Sequence, residues 1–559
     1  MSAESPGGTR ENLSATLKQP IVFDGVSTPV KTALFVIVCL AWLLPGLIGR
    51  DPWKPDEAIA FGVVHSLLQG GSWIVPSIAG IPHLEAPPFA AWIAALFAQI
   101  FSPFLPAHDG ARLASGFWVA LTMLFLALAA VRLLDDRAGR ISVLMLIGSL
   151  GLLLRGHEIS FALAPMAGTA IALYGLIRFN ASPRQGGLIT GAGTGLVALT
   201  AGLAPALTVL LIPCLLMIWM PAWRQRTARR WVFAAAAITL ACAAIWPILL
   251  SISGTSSARA WLPAALGLHC LNAGGRAFEP LYFLRTLPWY ALPALPIAIW
   301  VWWKDRKHLR TRVELALPLV AFLTMLVMFS FIREPRDDMA LPLLVPLILA
   351  AVQGLDRLPR GLASFVDWFG MALFSFLALF IWSIWTGALT GIPRNAARWA
   401  AREAPGYTHE LGWIAFVFAL ALTFIWLIAV TRTRRTNRRA IVNWSAGVTL
   451  LWMLINLLWL PAMNHVRSYR ATAAAIKTAL PGTGCIAQMG LGDAQRAAFS
   501  YHGGLNFERV TDDTKTTCRT LLVQGVNDKL PALSGNWSLI REVARPGDKA
   551  ERFLLYKRV

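Results

Sequence analysis

From residue 31 to 460 the chain is a succession of apolar stretches, near 31–49, 111–132, 141–154, 159–177, 187–203, 205–220, 231–252, 287–303, 313–332, 339–355, 364–387, 411–430 and 440–460. A hydrocarbon core about 30 Å thick is crossed by roughly 17–25 apolar residues in a helix, so these read as about thirteen spans. Lipid offers the backbone no hydrogen bonds, and stretches of this length must therefore cross as helices. The third and sixth stretches are short, and only the tight turn AGLAP separates the fifth from the sixth. Composition agrees: 56% of residues are hydrophobic and 14% charged, which excludes a soluble globular domain.

The net charge of +21 does not point to nucleic acid. Its basic residues cluster between spans, in loops 132–140, 178–184, 223–230, 304–312, 356–360 and 431–439, which is the excess that marks cytoplasmic loops. The intervening loops are longer and richer in acids and aromatics. The sequence thus predicts a polytopic α-helical membrane protein. Residues 1–30 form a cytoplasmic tail, 31–460 the transmembrane domain and 461–559 a small periplasmic α/β domain. In the last of these, a helix from HVRSYRATAAAIKTAL is followed by short β-rich runs, CIAQMG, RTLLVQG, WSLIREVA and RFLLYKRV, with Gly, Asp and Pro turns between them. Cys485 and Cys518 fall there, and spacing leaves a disulfide and two buried thiols equally open.

The periplasmic loops hold the residues able to do chemistry. The first, 50–110, carries the adjacent acids Asp56 and Glu57, an amphipathic run from Ala58 to Leu68 that suits a helix with one face in lipid or protein, and then His83 and Glu85 before Pro87-Pro88 and a new apolar helix. The second, RGHEIS, brings Arg155, His157 and Glu158; the large loop 253–286 brings His269, Arg276 and Tyr282; the fourth, FIREPRDDM, brings Arg333, Arg336, Asp337 and Asp338. Carboxylates can serve as bases or metal ligands, and arginines offer planar forks to phosphate oxygens. Together they suit an anionic, phosphate-bearing lipid. Each also has a plainer reading: Asp56 as the cap of the helix that follows, Glu85 as a solvated loop acid, His269 as a satisfied histidine, and the Arg333–Asp338 run as a surface ion-pair cluster. Glu57, projecting elsewhere at the helix start, is expected to tolerate substitution better than Asp56.

The order of first span, DE, amphipathic helix, GSWIVPSIAGIPHLEAPPFAAW and ARLASGFW, followed by GHEIS, LYFLRTLPWY and LPLLVPL, resembles the integral-membrane GT-C glycosyltransferases of the protein O-mannosyltransferase type, and most closely the lipid A aminoarabinose (4-amino-4-deoxy-L-arabinose) transferases. The resemblance implies an inverting transfer from an undecaprenyl-phosphate-linked sugar to lipid A at the periplasmic face, by a monomer among membrane lipids. It assigns Asp56 as the essential acid with Glu158 as the second-loop acid, and Arg276 with Arg333 or Arg336 to the donor phosphate. Glu85 and His269 would hold a divalent metal (zinc, magnesium or manganese). Two positions depart from the family pattern: Ile59-Ala60 replaces an Arg-Tyr pair, and Ala86 replaces a lysine. A transferase acting on O-antigen, another envelope glycan or protein is the alternative. A transporter of polyprenyl-linked lipid is disfavoured, because its ionisable groups would gather near the midplane, whereas here they gather at span ends on one side.

Overall fold

The computed structural model describes residues 28–559 apart from 180, 254–261, 263–278, 333, 433–436, 483, 511–512, 515 and 527–532. Helices occupy each apolar stretch. Among the described residues, six helices are long and apolar enough to cross a membrane, and five more of 10–17 residues share that composition. The molecule is a polytopic helical membrane protein, and its helices break where glycine, serine and proline interrupt the apolar pattern.

Those breaks position the site. The third stretch divides at Gly148-Ser149 into helices Asp136–Ile147 and Leu150–Arg155. Carbonyls near the break are taken up from the neighbouring helix, where Trp444 Nε1 donates to Gly148 O at 2.9 Å and Ser445 Oγ to Leu144 O at 2.5 Å. Backbone opened at membrane depth is tolerated only when protein supplies such partners. The short second helix then ends on Arg155. The eighth stretch divides likewise around Pro293 into Tyr282–Tyr290 and Ala294–Lys304, and the tenth begins as a 3-10 turn, Asp337–Leu343, before the helix Leu344–Gly354. Proline at 342 and 346 lies in that region, where a full α-helical ladder would lack donors.

The C-terminal domain is a five-stranded mixed sheet in the order β4-β3-β5-β7-β6, built from β3 (Ile486–Met489), β4 (Phe507–Arg509), β5 (Thr520–Val526), β6 (Trp537–Arg545) and β7 (Asp548–Arg558). β4, β3 and β5 are parallel; β7 pairs antiparallel with both β5 and β6. Helices Arg470–Ala479 and Asp493–Gly503 cover it through Tyr469, Ile476, Phe499, Phe553 and Leu555. All four β-rich runs are strands. β4 is additional, a three-residue strand too short to show alternation. The helix expected to leave the membrane ends at Arg467 and restarts at Arg470, with the Ser468 hydroxyl donating to Asp51 at 2.9 Å in the gap. Cys485 and Cys518 are joined in a disulfide.

The first-loop amphipathic run is the helix Asp56–Leu68, with Ala58, Ala60, Phe61, Val63, Val64 and Leu67 buried. Of the two settings expected for it, lipid or protein, it has the second. It packs between the apolar helix Phe89–Phe101 and the Asp493–Gly503 helix of the C-terminal domain. Beside it a two-stranded hairpin, β1 (Ser77–Ile78) and β2 (Ile81–Pro82), folds back across Gly80. Gly62 makes the closest approach: a Cβ there would stand 2.4 Å from Ala497 Cβ. Polar ties ring this contact, with Lys54 Nζ 2.8 Å from Asp548, Arg470 Nε 2.9 Å from Asp51, and His108 Nδ1 2.8 Å from the Tyr501 hydroxyl. Overpacking so tight a contact costs about 1–3 kcal/mol. Gly62→Leu is therefore expected to loosen the C-terminal domain, seen as faster limited proteolysis between residues 460 and 485; an unchanged digestion rate would contradict the tight docking.

Candidate active site: carboxylates gathered on Arg155

Asp56 is the first residue of its helix, after Pro55, and makes no capping hydrogen bond. The cap reading is thereby corrected: the carboxylate faces outward and accepts from Arg155 Nη1 at 2.8 Å. The same guanidinium donates to Glu158 at 3.2 Å, and through Nη2 and Nε to both oxygens of Asp337 at 2.9 and 3.4 Å. Residues from the loop after the first span, from RGHEIS and from FIREPRDDM thus meet on one arginine, 18% exposed. Burial, then the neighbouring charge of Glu57, pushes the Glu158 carboxyl up to about 7, against the pull of Arg50 and Arg155.

Arg336 occupies the rim of this cluster. Its Nη2 and Nε donate to Asp338 at 3.1 and 3.3 Å, its Nη1 lies 3.8 Å from Glu85, and about half of the side chain is exposed. Glu85 is also 3.8 Å from His83 Nε2, whose Nδ1 lies 3.4 Å from Asp493 of the C-terminal domain. Tyr282 begins its helix nearby; burial first, then the charge of Asp337, raises its hydroxyl above the usual tyrosine range. The structure thus brings together Asp56, Glu158, Arg336, Glu85, His83 and Tyr282, while Arg276, Arg333 and His269 lie outside the described residues.

Glu57 belongs elsewhere. One helical position on from Asp56, it turns into the protein, 1% exposed, and accepts from Arg50 at 3.0 Å, Arg112 Nε at 2.7 Å, and the backbone N–H groups of Trp53 and Ile159 at 3.1 and 3.0 Å. Burial alone would raise its carboxyl, but Arg112 and Arg50 outweigh burial and hold it below the usual range. Arg112 also donates to Asp109 at 2.7 Å, and Arg50 lies over the Trp53 ring and donates to His157 O at 2.6 Å. The expectation that Glu57 tolerates change is corrected by this buried hub. A signal for it was present, since Arg112 lies inside a predicted span and an arginine there needs a partner.

Among the described residues, three metal-ligating side chains converge only at Cys485, Glu508 and Cys518, where the two sulfurs are bonded to each other. Around Asp56, Glu158 and Asp337 the central cation is the Arg155 guanidinium itself.

A sequence profile described as dolichyl-phosphate-mannose-protein mannosyltransferase matches residues 85–248. The undecaprenyl phosphate-alpha-4-amino-4-deoxy-L-arabinose arabinosyl transferase of Pseudomonas aeruginosa (strain UCBPP-PA14) is 27% identical over 453 residues, covering 78% of this chain and 76% of its own. The transferase of the same description from Photorhabdus laumondii is 25% identical over 410 residues, 70% of this chain and 69% of its own. The crystal structure of ArnT from Cupriavidus metallidurans bound to undecaprenyl phosphate superposes with a TM-score of 0.70 at 17% identity, over 95% of this chain and 99% of that one. The chain has the GT-C glycosyltransferase fold. Within this GT-C fold the profile match takes in Glu85, Arg155 and Glu158, while Asp56 precedes it and Asp337 follows it. The cluster is therefore assembled by the tertiary fold from both sides of the matched region. Its apo-state counterpart from the same organism superposes with a TM-score of 0.71 at 17% identity, over 96% of this chain.

Proposed function

We propose that this protein is an inverting glycosyltransferase that moves 4-amino-4-deoxy-L-arabinose, or another amino sugar, from undecaprenyl phosphate to lipid A at the periplasmic face of the bacterial inner membrane. The observation that carries the reading is the one-sided meeting of Asp56, Glu158, Asp337, Asp338 and Glu85, which among the described residues share two guanidiniums in direct contact, Arg155 and Arg336. An excess of carboxylate suits a sugar that bears an ammonium group, and the names of the relatives supply that sugar and its carrier. Displacement at the anomeric carbon develops negative charge on the departing polyprenyl phosphate. Arg336, half exposed, with Nη1 no nearer than 3.8 Å to Glu85 and making no hydrogen bond to it, is the described group placed to stabilise that charge. Asp56 meets the acceptor from the other side, as base to a hydroxyl or as the group that orients a lipid A phosphate already ionised at neutral pH. Attack opposite the leaving phosphate in a single displacement inverts the sugar carbon. The periplasmic placement is supported by the alternation of basic loops and by the Cys485–Cys518 disulfide, a bond suited to an oxidising compartment.

Mass spectrometry of lipid A from cells with and without the protein tests this reading. Lipid A that gains a pentosamine only when the protein is present is the expected result; unaltered lipid A with a changed glycan or glycoprotein would transfer the reading to the alternative acceptors. Arg336→Ala is expected to raise the apparent KM for the polyprenyl-phosphate donor roughly tenfold to a hundredfold, the loss of one charge-assisted contact worth about 1.5–3 kcal/mol. A surface ion pair with Asp338 alone would cost at most about 1 kcal/mol, and a KM within a factor of two of the parent would assign Arg336 that lesser role.

A further inference from the structure

Four of the five N–H donors of Arg155 are directed at carboxylates: one of Nη1's two N–H groups faces Asp56 and the other Glu158, while Nη2 and Nε form a fork on Asp337. A guanidinium so occupied has little capacity left for a phosphate, in contrast to Arg336. We infer that Arg155 is a positioning residue for the transfer reaction: it aims the Asp56 carboxylate at the acceptor by holding it on a guanidinium that is itself fixed by Asp337 and Glu158. The inference rests on the transferase reading and deepens it.

The geometry explains why one arginine can do this. Arg155 is the last residue of a short helix whose start is fixed at the Gly148-Ser149 break, and that helix is backed by Tyr290, whose ring lies on Gly151 so closely that a Cβ there would stand 2.3 Å from it. The bidentate pairing with Asp337 fixes the plane of the guanidinium, and planar fork pairs carry orientation as well as energy. The remaining edge then presents one N–H to Asp56. The loop after Phe329 is held to the loop after Arg155 by the same contact, so the position of Asp56 depends on a residue far along the chain. The other charged or titratable groups facing this cluster are Glu57 and Arg50 behind Glu158, Arg336 and Asp338 on the fourth loop, and Tyr282 and Tyr290 on the helix that follows the third. Among the described residues none supplies a second cation in contact with Asp56. Without Arg155, three carboxylates would face one another uncompensated, and like charges that close retain protons to higher pH.

The test is a set of pH profiles of kcat/KM for sugar transfer by purified protein in lipid nanodiscs, using a polyprenyl-phosphate aminosugar donor and lipid A. Arg155→Gln is expected to lower kcat at least tenfold, to move the acidic limb upward by about a pH unit or more, and to leave the donor KM within about threefold. Arg155→Lys, which keeps the charge but loses the fork, should hold the acidic limb in place while kcat falls several-fold. A donor KM raised tenfold or more with an unmoved limb would make Arg155 a phosphate ligand and overturn the inference, as would parent-like kcat and profile. Should Arg155→Gln not be recovered folded, Asp337→Asn reads the same device: releasing the fork should lower kcat several-fold with the donor KM held, and an unchanged kcat overturns it. Absence of any transfer by the parent protein would instead strike at the proposed function.

Discussion

Asp56→Asn is expected to reduce sugar transfer by at least about a hundredfold while leaving a protein that expresses and melts like the parent. The size follows from the role: a positioned carboxylate acting on the acceptor contributes roughly 10²–10⁴-fold. The tolerance follows from the surroundings. Asp56 stands at the mouth of the cluster with its side chain 42% exposed, caps nothing, and is held by one ion pair to Arg155. Half-exposed pairs of this kind are worth at most about 1 kcal/mol. Asparagine keeps the shape and can still accept from Arg155, but it carries no charge and cannot take up a proton. The measurement is transfer of radiolabelled sugar to lipid A by purified variant, alongside a thermal melt. Activity within tenfold of the parent would remove Asp56 from the chemistry and leave it a rim acid.

The membrane half of the fold was legible because its signal is coarse: about 20 apolar residues in a row can do little else. The breaks in the helices were not, since Gly148-Ser149 opens only because Trp444 and Ser445, nearly three hundred residues on, arrive to take the freed carbonyls. The site shows the same division. Asp56, Glu158 and Arg336 could be picked out as charged residues at span ends on one side, and they do meet. Which arginine joins them could not be read, because Arg155 was one of several loop cations until the fold set it between Asp56 and Asp337. Helical geometry separates the two acids of the DE pair, yet only packing shows which one turns inward. The apolar run after them gave the helix; the C-terminal helix that buries its far side, through Ala497 on Gly62, lies too distant in sequence for periodicity to reveal.

That inward turn gives Glu57→Gln the opposite failure from its neighbour: loss of the folded protein, with activity lost only as a consequence. Glu57 accepts two arginines and two backbone N–H groups at 3.1 Å or less, and its partners Arg50 and Arg112 are fully buried. Removing one member of a buried ion cluster leaves the others uncompensated, at a cost of about 3–5 kcal/mol. Glutamine can still accept through its carbonyl, but its amide would present donors to two guanidiniums that have none of their own to accept with. Arg50 has least room to adapt, since its Nε and Nη1 are already without partners among the described residues. The expected result is a sharply lowered yield from detergent and a melting temperature several degrees below that of Asp56→Asn. A double-mutant cycle with Arg112→Gln distinguishes the hub from mere crowding: if the charges are coupled, the double variant is destabilised by less than the sum of the two singles, because each removes part of the imbalance left by the other. Simple additivity would leave only crowding, and a Glu57→Gln protein that melts like the parent but transfers no sugar would place Glu57 in the reaction instead of beneath it.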